Sequence, residues 1–389
     1  MPRFFVFALV AVGALAVALP AVVRAVLPNQ HRTDASHRRL RRATAAAVLL
    51  AVGLEAWGRT VAPFGGGPIR AALGASRAAA LLLVGCSLVV LASRIAVAAL
   101  GRLHPAATPS RREFLVQATT GAGLAMGAPM FLRGGLRGRT EFVTRTLELV
   151  VPGLPRALEG LTLVHLTDLH LGVFFGPREL AAVLDLTEGL RGDVVVITGD
   201  VLDHQPRHVP SAMRALARLR APGGVYAVLG NHDHYTGPGA VRRGLASIGV
   251  RTLDNASVTL GPRGSLGRGL VLAGVDDVMA PMLETGSGPD LDAALRGRDR
   301  DDPVVLLAHN PRFFDEAADR VALQLSGHTH GGQLNPAGAA ARVLRYTAGT
   351  YRRGDGTLFV SRGIGTTGAP VRVAAPPEIV RIALTGRSA

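Results

Sequence analysis

The second half of the chain alternates short apolar runs with turns rich in Gly, Asp and Pro. Eight such runs lie at residues 161–167, 193–199, 224–230, 269–275, 303–309, 321–327, 356–362 and 378–384. Runs that are apolar throughout predict strands buried on both faces. The segments 177–189, 211–219 and 238–248 have the spacing of helices. We therefore predict an α/β domain over residues 140–389, in which helices cover one sheet or two sheets packed face to face.

The first third of the chain has a different pattern, with long apolar stretches separated by basic loops. Four stretches lie at residues 4–26, 43–57, 78–99 and 114–132. A helix needs about 20 apolar residues to cross a bilayer. We therefore predict an all-α membrane region of about four helices over residues 1–135.

The formal net charge of +15 is concentrated in that first region. Residues 1–139 contain 17 Arg and three acidic residues, whereas residues 140–389 contain 26 Arg and 25 acidic residues. A nearly neutral second region argues against nucleic acid as a partner. The basic loops after the first and third stretches are assigned to the cytoplasm by the positive-inside rule. Four spans then place the second domain on the outer, periplasmic or extracellular, side of the cytoplasmic membrane.

The fourth stretch follows the sequence SRREFL, which contains Arg111 and Arg112. This sequence is similar to a twin-arginine export signal, although it is internal to the chain. It makes the twin-arginine translocation machinery a candidate partner, and cleavage near Ala128 would release the domain. The alternative is a basic flank that fixes the orientation of an ordinary span. Both interpretations put the second domain outside.

Five short motifs in the second region carry side chains that bind metals. They are DLH at 168–170, GDVLD at 199–203, GNHD at 230–233, HN at 309–310 and GHTH at 327–330. Carboxylate, amide and imidazole donors suit Mn, Fe or Zn. Two divalent cations about 3.5–4 Å apart neutralise a phosphoester and activate a water as hydroxide. The motifs therefore predict a two-metal hydrolytic site, with the ligands Asp168, His170, Asp200, Asn231, His309, His328 and His330.

Other acidic and imidazole side chains lie near these motifs. His232 is the natural proton donor to the leaving group, or a clamp on a phosphate oxygen. Asp203 is predicted to be a turn residue or to support a ligand. Asp276 and Asp277 are interpreted as turn residues, and His165 as structural.

In this order the five motifs resemble the calcineurin-like metallophosphoesterase superfamily, over residues 140–389. The resemblance implies a sandwich of two mixed β-sheets flanked by helices. It implies that His232 acts on the leaving group and that Asp233 orients His232. It also implies two metal sites that share one carboxylate, with the ligand sets Asp168, His170, Asp200 and His330 for the first metal and Asp200, Asn231, His309 and His328 for the second.

Two further segments, at residues 331–334 and 361–372, are similar to a membrane-tethered bacterial branch of that superfamily. The branch includes twin-arginine-exported phosphoesterases and proteins similar to UDP-2,3-diacylglucosamine hydrolases. We predict an enzyme that hydrolyses a phosphoester, phosphodiester or pyrophosphate bond in a small or lipid-linked molecule. One alternative is a UDP-2,3-diacylglucosamine hydrolase-like enzyme of lipid A metabolism, although an outward site would face away from a cytoplasmic precursor. The other is a non-catalytic membrane scaffold that keeps the fold.

Overall fold

The computed structural model describes residues 64, 72–74, 109–261 and 269–386. The described residues from 137 to 367 and from 371 to 386 belong to one compact unit. Helix α1 (Pro109–Arg133) belongs to a second unit.

Helix α1 covers the fourth predicted membrane span, at residues 114–132. Across the part of the chain that the structure describes, no helix is both long enough and apolar enough to cross a membrane. The prediction of a span here is therefore not supported. The helix contains polar Thr and Gln side chains and several Gly residues, which dilute its apolar character. The first three predicted spans lie outside the described residues.

The first of two sheets has six strands in the spatial order β1-β12-β2-β3-β4-β5. Strands β2 to β5 are parallel to one another, and β12 pairs antiparallel with β2 and parallel with β1. The strand bounds are β1 (Val143–Val150), β2 (Thr162–Leu166), β3 (Val194–Thr198), β4 (Val225–Val228), β5 (Val250–Thr252) and β12 (Glu378–Thr385).

The second sheet also has six strands, in the order β10-β11-β9-β8-β7-β6. Strands β7, β8, β9 and β11 are parallel, whereas the edge strands β6 and β10 are antiparallel to their neighbours. The bounds are β6 (Ala256–Leu260), β7 (Leu270–Gly274), β8 (Val304–Leu307), β9 (Leu323–Ser326), β10 (Gly349–Arg353) and β11 (Gly356–Val360). Both sheets are mixed, as predicted.

The two sheets pack face to face through one apolar cluster. Leu163 and Val196 of the first sheet lie in this cluster with Leu307, Leu325 and Phe359 of the second. The strands alternate between this inner layer and an outer layer, because successive side chains point to opposite faces. Both layers are buried, which explains why these strands are apolar throughout.

Helices cover the outer faces. Val164 and Ile197 pack with Leu184, Met213 and Leu245 from three helices over the first sheet. The helix bounds are α2 (Pro177–Gly189), α3 (Val209–Leu216), α4 (Asn231–Thr236), α5 (Pro238–Ser247), α6 (Leu291–Ala294) and α7 (Phe314–Ala317). Helices α6 and α7 pack on the second sheet. The predicted sandwich of two mixed sheets flanked by helices is confirmed.

Candidate metal centre

The predicted metal ligands follow the carboxyl ends of five strands, three in the first sheet and two in the second. Neighbouring parallel strands end at the same edge of a sheet, so residues distant in the chain meet there. The side chains are Asp168 and His170 after β2, Asp200 after β3, Asn231 after β4, His309 after β8, and His328 and His330 after β9.

Five of these residues have a left-handed backbone. The φ angles of Asp168, His170, Asp200, His328 and His330 lie between 47° and 71°. This conformation costs a residue other than glycine about 1–2 kcal/mol. Hydrogen bonds between the loops maintain it, as in the bond from the N–H of His170 to the carbonyl of Asp200, at 2.9 Å. Such strain is concentrated at functional sites.

One group of donors lies between the loops after β2 and β9. Nε2 of His170 lies 3.0 Å from Nε2 of His330, and Nε2 of His330 lies 3.3 Å from Oδ1 of Asp168. The same nitrogen of His170 lies 3.5 Å from Oδ2 of Asp200. These donor atoms lie close enough together to bind one cation when none of them holds a proton.

A second group lies beside the first, between the two sheets. Nε2 of His309 lies 3.3 Å from Oδ2 of Asp200 and 3.2 Å from Nδ1 of His328. Nδ1 of His309 lies 2.8 Å from the carbonyl oxygen of Thr198. Because a carbonyl only accepts, Nδ1 carries the proton and Nε2 offers its lone pair to the site. The two groups meet at Oδ2 of Asp200.

Asn231 supplies the clearest sign that a cation belongs here. Its Oδ1 atom is buried and has no hydrogen-bond partner within the described residues. A buried amide oxygen without a partner is destabilising by roughly 1–3 kcal/mol. A divalent cation would satisfy it. The donor set therefore fits two divalent metal ions. Mn, Fe and Zn all suit these donors.

Burial controls the protonation of most ligands. It lowers the pKa of His170 to about 3 and that of His328 to about 4, so their lone pairs are available. It raises the pKa of Asp168 to about 6. His309 differs, because Asp200 and then Asp168 outweigh burial and raise its pKa well above the usual value. A cation at this position would displace the proton from His309.

His232 is held against both the centre and the loop after β3. The backbone N–H of His232 donates to Oδ1 of Asp200 at 2.8 Å. Its Nδ1 atom lies 2.5 Å from the carbonyl oxygen of Asp203 and 3.5 Å from the carboxylate of the same residue. Burial opposes protonation of His232, but Asp200 and Asp203 outweigh it and raise the pKa to about 9. In this arrangement the two carboxylates favour the protonated ring.

Asp233, which the resemblance implies orients His232, contacts backbone groups of two loops. Its carboxylate accepts hydrogen bonds from three backbone N–H groups, those of Gly230 at 3.0 Å, Leu202 at 2.9 Å and Val201 at 3.2 Å. Asp233 therefore joins the loops after β3 and β4. The residue that contacts the ring of His232 is Asp203, the last residue of the GDVLD motif.

Some residues around the centre were not singled out by the sequence. Arg372 is buried and donates to the carbonyl oxygens of Gly365, Arg362 and Ala375. Its guanidinium also lies 3.1 Å from Nδ1 of His330. A buried Arg that follows a turn has no sequence signal of its own, because most Arg residues in such places are exposed.

Asp276 also has a more definite role than a turn. Its carboxylate lies 2.9 Å from Nε2 of His234 and accepts from the N–H of Gly288. Nδ1 of His234 lies 2.9 Å from the hydroxyl of Thr285. This buried pair fixes helix α4, which carries Asn231 and His232, to the loop after β7.

Comparison with known proteins agrees with this geometry. Residues 161–332 match the model of the calcineurin-like phosphoesterase family. The chain is 37% identical over 248 residues to a transmembrane protein with metallophosphoesterase domain from Danio rerio, an alignment that covers 61% of this chain and 56% of that relative. It is 33% identical over 237 residues to an uncharacterised metallophosphoesterase from Aquifex aeolicus, covering 60% of this chain and 88% of that relative.

A third relative is aligned along nearly its whole length. The uncharacterised metallophosphoesterase YkuE from Bacillus subtilis is 32% identical over 287 residues, covering 69% of this chain and 96% of that relative. By contrast, the chain spans only about half the length of the animal relative. The bacterial alignments and the family match show that this chain belongs to the calcineurin-like phosphoesterase family of metallophosphoesterases.

Proposed function

We propose that the chain is a metal-dependent phosphoesterase that hydrolyses a phosphoester, phosphodiester or pyrophosphate bond. One observation carries the proposal. Seven donors from five loops of two sheets converge, and Oδ2 of Asp200 lies within 3.5 Å of both His170 and His309. A scaffold that kept only the fold would not need these residues in a strained backbone.

Two groups of side chains would hold the metals. Two bound cations would neutralise the phosphoryl oxygens and lower the pKa of a water at the site. The first group consists of Asp168, His170, Asp200 and His330, and the second of Asp200, Asn231, His309 and His328. In this assignment the histidines are neutral ligands that fix the positions of the cations. The carboxylates are anionic ligands that offset part of the positive charge of the cations.

His232 is proposed as the general acid. Its Nδ1 is engaged by Asp203, so its Nε2 is the nitrogen that can give a proton to the leaving oxygen. Asp203 stabilises the charged ring. Asp233 acts at a distance from the ring, because it fixes the loops that carry Asp200 and His232.

We further propose that the enzyme is attached to the cytoplasmic membrane, with its site on the outer side. The support is the apolar sequence of residues 4–26 and 78–99, and the basic loops that follow them. Relatives from Danio rerio and Bos taurus are described as transmembrane proteins. A membrane position fits a lipid-linked substrate as well as a soluble one. A reporter fused to the C-terminus tests the side, and cytoplasmic activity of the reporter would contradict the proposal.

The enzymatic proposal is tested on the full chain with chromogenic phosphomonoesters and phosphodiesters, in the presence of Mn, Fe or Zn. Asp200→Asn and His232→Ala are compared with Asp185→Asn, a control that changes an exposed carboxylate on helix α2. We expect Asp200→Asn to lose bound metal and at least about a hundredfold in kcat/KM. We expect His232→Ala to keep its metal and lose about a hundredfold. Wild-type protein that binds both metals and turns over no substrate of either class would favour the scaffold.

A further inference from the structure

The segment that follows the predicted ligand His330 pairs with a second segment, through Thr367 and Val373. Leu334 forms a parallel bridge with Val373. The N–H of Val373 donates to the carbonyl of Gln333 at 2.8 Å, and the N–H of Asn335 donates to the carbonyl of Val373 at 2.9 Å. The first segment begins directly after the metal ligand His330. The position of the second segment is therefore tied to that of a ligand.

The amide of Gln333 extends this pairing to Thr367. Nε2 of Gln333 donates to the carbonyl of Thr367 at 2.9 Å. The N–H of Thr367 donates to Oε1 of Gln333 at 3.0 Å. One side chain thus satisfies both backbone groups of Thr367, as a neighbouring strand would. This reciprocal pair fixes the backbone of a loop residue that would otherwise be free to move.

The fixed hydroxyl of Thr367 faces the general acid. Its Oγ1 atom lies 3.4 Å from Nε2 of His232. Since Nδ1 of His232 is engaged by Asp203, Nε2 is the nitrogen from which a proton can leave. Thr367 is partly exposed, and His232 lies buried beside it with 9% of its surface accessible. A hydroxyl has one proton and two lone pairs, so beside Nε2 of His232 it can donate a hydrogen bond to the same substrate oxygen.

We propose that Thr367 is a further catalytic residue, whose hydroxyl binds the leaving oxygen together with Nε2 of His232. The role rests on the proposed function. In the reaction a water oxygen forms the new bond to phosphorus and releases one proton to solvent, and the bond from phosphorus to the leaving oxygen breaks with its electron pair on that oxygen. His232 gives its proton to the leaving oxygen and becomes neutral. Thr367 donates a hydrogen bond to the same oxygen and is not consumed.

This pair of donors selects a class of substrate. Charge develops on the leaving oxygen as the bond breaks, and donors placed there matter most when the leaving alcohol is basic. An alkyl alcohol, such as glycerol or a sugar, needs a proton and a hydrogen bond at that moment. A nitrophenolate does not. The hydroxyl of Thr367 therefore favours phosphoesters of alkyl alcohols.

The test measures how kcat depends on the leaving group. Thr367→Val, which keeps the shape and removes the hydroxyl, is compared with Thr367→Ser on diesters that share one transferred group and differ in having an alkyl or a nitrophenyl leaving group. We expect Thr367→Val to lose about tenfold on the alkyl substrate, the effect of one hydrogen bond to a charged oxygen. On the nitrophenyl substrate we expect a loss below about threefold. Thr367→Ser restores most of the alkyl activity.

Gln333 is a positioning residue in this scheme, and its variants separate positioning from folding. Gln333→Glu keeps the acceptor for the N–H of Thr367, whereas Gln333→Met keeps neither bond. We expect alkyl turnover to fall in the order wild type, Gln333→Glu, Gln333→Met, with smaller changes on the nitrophenyl substrate. Thr259→Val, on the exposed side of strand β6, is the matched control. Metal content and thermal unfolding are measured for every variant.

The outcomes separate the two proposals. Equal losses of Thr367→Val on both substrates, or no loss on either, would overturn the role of Thr367 and leave the phosphoesterase proposal standing. A wild-type protein that turns over neither substrate overturns the phosphoesterase proposal, and the role of Thr367 falls with it.

Discussion

Nε2 of His309 lies 3.3 Å from Oδ2 of Asp200, although the two residues follow strands of different sheets. His309 extends from β8 in the second sheet, and Asp200 follows β3 in the first. The centre therefore lies across the junction of the sandwich. A cation bound by both residues would connect the two sheets.

Removal of metal is therefore expected to destabilise the whole domain. A ligand that binds only the folded state stabilises it by about 2.7 kcal/mol at a hundred times its Kd. For a domain of this size that corresponds to a Tm change of about 5–10 °C. Calorimetry before and after chelation, and again after Mn is restored, measures the difference. An unchanged Tm in protein shown to have lost its metal would contradict this connection between the sheets.

Gly230→Ala is expected to damage the centre for steric reasons alone. The backbone of Gly230 has φ −109° and ψ 178°, which any residue adopts. An added Cβ would lie 2.7 Å from the backbone nitrogen of Asp200 and 2.8 Å from Cγ of His309. These two neighbours must move, so we expect at least about tenfold weaker metal binding, measured by competition with a chelating dye.

Gly189→Ala is the matched control for that change. It lies in the last turn of helix α2, and an added Cβ has no neighbour within 4 Å. We expect unchanged metal affinity and a stability gain of up to about 1 kcal/mol. Equal metal affinity in Gly230→Ala and Gly189→Ala would contradict this expectation, because it would show that the loop after β4 accommodates the added methyl group without displacing the ligands.

Asp233→Ala is expected to lower stability as well as activity. It leaves the N–H groups of Gly230, Leu202 and Val201 without their acceptor. The loss of these bonds costs about 2–4 kcal/mol, which urea denaturation measures as a lower midpoint. Asp185→Ala, which removes an exposed ion pair with Arg218, is expected to cost less than about 1 kcal/mol. If both variants had the same midpoint, the proposed joining of the two loops would be wrong.

His165 is expected to make stability depend on pH. Burial lowers its pKa to about 3, whereas the unfolded chain takes up the proton near pH 6.5. Between those values the unfolded state binds more protons, so the free energy of unfolding falls as the pH falls, by up to about 1.4 kcal/mol per pH unit. His165→Gln does not titrate. We expect its unfolding free energy to decline less steeply between pH 6.5 and pH 4, and parallel curves would contradict the assignment.

The sequence predicted the strands that support the site, for a physical reason. Strands such as β3 and β8 are buried on both faces, and so they are apolar throughout. All four edge strands were missed, because β1, β6 and β10 carry polar or exposed side chains and β5 has only three residues. Helix α4 was missed because it is short and coincides with the GNHD motif.

Positions of donors were easier to predict than their contacts. The spacing of the motifs showed which residues gather at the strand ends, as with Asp168 and His170. Spacing does not show which way a carboxylate points. Asp233 is next to His232 in the chain, yet it faces backbone N–H groups, while Asp203 reaches the ring from another loop. The hydroxyl of Thr367 had no signal, because its place depends on a long-range bond to Gln333.

The left-handed backbone at Asp168, His170, Asp200, His328 and His330 has a consequence for how this family member can change. Glycine adopts that conformation freely, so a glycine substitution at any of the five removes a ligand and relieves the local conformational penalty together. At Asp168 and Asp200 the same substitution would also leave the backbone N–H groups of His328 and His232 without their acceptors.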